Sequence, residues 1–108
     1  MSRKQPPIHP GEILREEFLK PLNLSAYKVA KDLNIPANRI TSIVNEQRAI
    51  TAETAVLLGH YFSTSAEVWV NLQARYDLRI AQRAAAVALR KLPRVASSRT
   101  RSANLQLR

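Results

Sequence analysis

The chain has no cysteine, only two glycines and two histidines, and no acidic residue beyond Asp77. Each shortage closes a set of functions. Without cysteine there is neither a disulfide framework nor a thiolate zinc site, and a reducing compartment such as the cytoplasm is favoured. Gly11 and Gly59 alone cannot build a glycine-rich phosphate loop or the Gly-x-Ser-x-Gly elbow of a hydrolase. His9 and His60 have no third ligand of their kind, so no metal site is expected. No apolar run approaches the roughly 20 residues that cross a bilayer. The opening Met1-Ser2-Arg3-Lys4-Gln5-Pro6-Pro7 is charged but has no apolar stretch behind it, so a secretory signal is not expected. No catalytic constellation and no cofactor motif remain, and an enzyme is not expected.

What is present is one domain's worth of chain, 108 residues with 45% apolar side chains. The net charge is +9, and its distribution matters more than its sum. Residues 1–77 hold nine Lys and Arg against all eight Asp and Glu, a balance of +1, whereas residues 78–108 hold eight Lys and Arg and no acid. Such a block reads as a solvated arm with a preference for polyanions. That preference alone does not separate DNA from RNA or from an acidic protein.

The periodicity is helical throughout, with no strand-like alternation. Residues 1–9 read as a flexible leader. His9-Pro10-Gly11-Glu12 opens a first helix, with Glu12 and Glu16 at its positive end, and Lys20-Pro21 is expected to stop it. Ser25 caps a second helix whose apolar face is Val29, Ala30 and Leu33, and Asn34 suits its left-handed end. Pro36 then starts a third, with Ile40, Ile43 and Val44 facing inward. Two short helices joined by three or four residues must cross steeply, which is helix-turn-helix geometry.

Thr51 caps a fourth helix, about residues 52–62, in which Gly59 costs roughly 1 kcal/mol against alanine and so implies a close helix contact. Ser65 or Thr64 caps a fifth. At about 100° per residue Trp69, Leu72, Tyr76 and Ile80 form a burial stripe, and Arg79, Arg83 and Arg90 fall within about 40° of one another. The helical pattern runs on through alanine-rich residues 81–89 to Pro93. That basic extension either projects into solvent or meets a phosphate backbone or an acidic partner. The expected architecture is all-α: a five-helix domain over residues 10–82, a helical extension of the fifth helix, and a disordered basic tail within residues 83–108.

In a helix-turn-helix the second helix enters the major groove. Here its outward residues are Ala37, Asn38, Arg39, Thr41, Ser42 and Asn45. Asn bonds adenine and Arg bonds guanine bidentately, each worth about 1–3 kcal/mol of discrimination, and Ala37 suits a thymine methyl. Ser25, Lys28, Asn45 and Arg48 flank that surface and suit phosphates, which set register rather than sequence. Each of these side chains alone also reads as an ordinary solvated helix residue; the ordered series of caps and turns favours the DNA reading.

His9-Pro10-Gly11-Glu12-Ile13-Leu14, Leu24-Ser25, Ile35-Pro36, Arg39-Ile40, Ile43-Val44-Asn45, Ile50-Thr51 and Trp69-Val70-Asn71-Leu72-Gln73 resemble the HigA/VapI family. These are antitoxins of toxin–antitoxin modules built on an XRE/Cro-type, lambda-repressor-like helix-turn-helix. The resemblance covers residues 8–82. It implies a homodimer that binds a palindromic operator on double-stranded DNA and represses its own operon. It also implies neutralisation of a HigB-type ribonuclease toxin by direct binding. The base-reading surface falls on Ala37, Asn38, Arg39, Thr41 and Ser42, and dimerisation on Trp69, Leu72 and Tyr76, with Trp69 equally readable as internal core.

The chain departs from the pattern in two places. Glu46-Gln47 stand where many relatives have a glycine, and the arginine-rich stretch after Gln82 lies outside the signature. Since HigB-type toxins are commonly basic, that stretch is not expected to dock one. Two other readings stay open: a stand-alone regulator without a toxin, and a protein-binding adaptor whose nucleic-acid binding is tail-driven and non-specific.

Overall fold

Residues 5–95 are described by a computed structural model, and among them five helices and no strand occur. The first helix, α1, covers residues 10–22 in three stretches: Pro10–Ile13 is α-helical, Leu14–Leu19 is π-helical and Lys20–Leu22 is α-helical again. It does not stop at Pro21 as expected. The π turn slips the hydrogen-bond frame by one residue, with Lys20 N–H reaching Arg15 C=O. Pro21 then falls in the first turn of the closing stretch. The helix ends one turn later, where Asn23 takes a left-handed φ of 57° and Leu24 N–H returns to Leu19 C=O at 2.9 Å.

The other boundaries follow from capping chemistry. Helix α2, Ala26–Leu33, begins with the Ser25 hydroxyl accepting from Lys28 N–H at 3.0 Å and ends at Asn34, φ 61°. Helix α3, Ala37–Val44, follows Pro36, which is the extended residue before the helix rather than its first member. Helix α4, Ala52–Phe62, is capped by Thr51. Helix α5, Ala66–Arg90, is capped by Ser65, not Thr64. The Thr64 hydroxyl instead accepts from Trp69 Nε1 at 2.9 Å.

Leu14, Val29, Ile40, Ile43, Leu58 and Trp69 are fully enclosed and form one core under all five helices. Trp69 sits among aromatics, its ring 5.1 Å from Phe18, which is itself 4.9 Å from Phe62. Two helix crossings are close enough to require glycine. A Cβ on Gly59 would lie 2.8 Å from the Ala66 nitrogen, the close contact expected of it. A Cβ on Gly11 would lie 1.8 Å from the Ile43 carbonyl oxygen, so α1 rests directly on the C-terminal end of α3.

The burial stripe on α5 ends earlier than its periodicity predicts. Trp69 is enclosed and Leu72 and Tyr76 are half-buried, but Ile80 is 43% exposed. Beyond it the helix has left the body, and Val87 and Leu89 are exposed too. Ala81, Ala84, Ala85, Ala86 and Ala88 keep it helical there, since propagation from an already packed helix needs no new nucleus. The helix crosses residue 82 without a break. The tail beyond residue 95 lies outside the described residues.

Candidate nucleic-acid interface

Helix α3 is placed by what lies behind it. Ile40, Ile43 and Val44 are buried, and at about 100° per residue the direction opposite them is occupied by Asn38, Ser42 and Asn45. Asn38 and Asn45 are exposed, and Ser42 is half-buried. Thr41 and Arg39 lie on the two flanks, both half-buried, with Ala37 partly covered by the core. No acidic residue occurs on α3. Short polar side chains and one arginine therefore face outward without a carboxylate among them, which suits a polyanion at close range.

The flanks carry the cations. Arg39 lines a shallow cleft of about 360 Å³ with Arg48, Ala49, Thr51, Glu53 and Thr54. Neither Arg39 nor Arg48 is in an ion pair among the described residues. At the start of α2, the Ser25 oxygen is engaged in capping, accepting from Lys28 N–H. Lys28 reaches Asp32 at 3.1 Å, one turn along, and is 56% exposed. Asp32 also accepts from the Tyr61 hydroxyl, which holds its carboxyl below the usual carboxylate range; Lys28 adds to this. Lys28 is thus a shared cation, partly neutralised at the surface.

Two residues that organise the site were missed in the sequence. Arg15 donates to the Val44 carbonyl and reaches the Glu46 carboxylate at 3.2 Å, so its guanidinium closes the C-terminal end of α3. That contact also holds Glu46, which takes a left-handed φ of 63°. Gln73 is buried, and its Oε1 accepts from Ile50 N–H at 2.8 Å, anchoring the loop that carries Arg48. Its spacing within the α5 stripe marked it as inward-facing but its polarity hid it.

His9 is no part of a flexible leader. It is buried, its Nδ1 accepts from Gly11 N–H at 2.8 Å, and its ring meets Tyr76 edge-on at 4.8 Å. Burial pushes its pKa down, against the opposing pull of Glu46 and Asp77. Of the residues expected at a dimer interface, Trp69 is withdrawn: it has no exposed surface to offer a second copy. Leu72 and Tyr76 remain partly open and line a groove of about 350 Å³ against Ile8 and Ile13. No helix among the described residues is long and apolar enough to cross a membrane.

Residues 15–69 match the helix-turn-helix family model. The virulence-associated protein I of Dichelobacter nodosus is 54% identical over 81 residues, which cover 75% of either chain. Among solved structures, the Pseudomonas aeruginosa antitoxin HigA with the higBA promoter superposes at a TM-score of 0.80. It is 43% identical and covers 84% of this chain and 99% of that one. An addiction module antidote protein of a HigA family from Coxiella burnetii superposes at 0.78, with 44% identity over 84% of this chain and 99% of that one.

Proposed function

The chain belongs to the helix-turn-helix family, and from that premise we propose that it is a sequence-specific DNA-binding repressor, the antitoxin half of a toxin–antitoxin pair. The observation that carries this reading is the outward face of α3: acid-free, built of Asn38, Ser42 and Asn45, and clamped at its far end by Arg15. Asn38 and Arg39 read bases, Thr41 and Ser42 assist them, and Ala37 contacts a thymine methyl. Ser25, Lys28, Asn45 and Arg48 set the register on phosphates.

The similarity to a solved antitoxin bound with its promoter supports autoregulation of the operon. Two copies would read a palindrome, as helix-turn-helix dimers do, with Leu72 and Tyr76 at their contact. A HigB-type toxin is the protein partner proposed. The chain works in the cytoplasm and carries out no catalysis of its own.

The test is a fluorescence-anisotropy titration of the full chain against the DNA just upstream of its gene and a shuffled duplex, at low and near-physiological salt. A preference for the upstream DNA that survives salt is expected. Equal binding to both duplexes, lost as salt rises, contradicts the proposal and leaves a charge-driven binder.

A further inference from the structure

We infer that the arginine stripe on the overhanging turns of α5 is a second, sequence-blind DNA contact that grips phosphates flanking the stretch read by α3. This rests on the repressor reading above. Arg79, Arg83 and Arg90 share one face within about 40°, and at about 1.5 Å per residue they form a ladder roughly 16 Å long. All three are exposed, and none is in an ion pair among the described residues. Residues 78–95 contain no acid at all, and Lys91 and Arg94 add to the charge. Arg79 also lines the groove of Leu72 and Tyr76, so the stripe begins where the proposed contact between two copies ends.

Two further observations point to DNA phosphate. The first is where the stripe is rooted. Gln73, which holds the Ile50 amide, lies only six residues before Arg79, or about 9 Å along the helix. Tyr76 touches His9, and Gly11, two residues on, rests on the Ile43 carbonyl at the end of α3. The root of the overhang is thus tied to the loop after α3 through Gln73, and to the end of α3 through Tyr76, His9 and Gly11. The second is a cleft of about 270 Å³ between Gln5 and this face, lined by Arg79, Gln82, Arg83 and Ala86. Its walls offer donors and no carboxylate, which is what phosphate oxygens require.

The full chain and its R79Q/R83Q/R90Q variant are titrated with the upstream duplex in two lengths, one just covering the stretch read by α3 and one extended by about one helical turn on each side. Glutamine keeps nearly the helix propensity of arginine, and circular dichroism checks that α5 survives. Plots of log affinity against log salt give the number of phosphates neutralised, at a slope of about 0.9 each. On the long duplex the variant's slope is expected to be shallower by about 2–3, with its preference for upstream over shuffled DNA unchanged. On the short duplex the two proteins should converge. Identical slopes on both lengths overturn the inference and leave the stripe to water or to an acidic protein. If neither protein prefers upstream DNA yet the slopes differ, the stripe's contact stands and the repressor reading falls.

Discussion

Replacing Gly11 with alanine adds a single methyl group at the tighter of the two glycine crossings. The new carbon would lie 1.8 Å from the Ile43 carbonyl oxygen, 2.8 Å from its carbon and 3.1 Å from His9 Nδ1. The first two are backbone atoms, which cannot swing aside as a side chain would. Helix α1 would have to lift from the end of α3 by more than an ångström. Overpacking of this kind costs about 1–3 kcal/mol. Loosening the Gly11 N–H bond to His9 and the Arg15 bond to Val44 adds roughly 1 kcal/mol. Alanine's better helix propensity returns about 1 kcal/mol. The balance is a loss of about 1–3 kcal/mol, or a melting temperature lower by roughly 4–24 °C for a domain of this size. Thermal unfolding followed by circular dichroism at 222 nm measures it. A melting temperature equal to or above that of the parent would mean propensity had won, and that α1 does not seat on α3 as described.

Truncating Trp69 to alanine should cost about 3–5 kcal/mol, read by denaturant melts, through the cavity left among Phe18, Phe62 and Leu58; a nearly neutral effect would move Trp69 out of the core. Stability should also depend on pH through His9. Its folded pKa is held below the unfolded value of 6.5, chiefly by burial, so the unfolded chain binds the extra proton. The contribution is complete above pH 6.5 and declines as pH falls from there to the folded value. A melting temperature that falls between pH 7 and 5, and a flatter profile in a His9→Asn variant that keeps a capping acceptor, are expected. An identical profile in the variant would remove His9 as the cause.

The helices and their caps were legible because short-range chemistry sets them. Ser25 and Thr51 announce themselves as hydroxyls ahead of apolar periodic runs, and Asn34 tolerates the left-handed turn that ends α2. The outward set on α3 followed from the three buried residues Ile40, Ile43 and Val44. Legibility failed where the cause was distant or cooperative. Pro21 was read as a stop because the π turn before it is a property of the whole helix, not of any residue in it. Ile80 was placed in the core because periodicity shows which face is apolar but not where the neighbouring helices end. Arg15 and Val44 are 29 positions apart, and Gln73 and Ile50 are 23 apart. No local pattern links either pair, yet these bonds hold the reading helix and its following loop in place.

The central claim is that α3 reads DNA bases while the core behind it is left alone. Arg39→Ala tests it most directly, because Arg39 sits on the flank of that face and joins no ion pair among the described residues. The measurement is its affinity for upstream and shuffled duplexes beside its melting temperature. The account predicts a loss of about 1–3 kcal/mol on the upstream duplex, roughly 5- to 150-fold, with little change on the shuffled one and an unchanged melting temperature. Equal losses on both duplexes, or a large drop in melting temperature with discrimination intact, would contradict it.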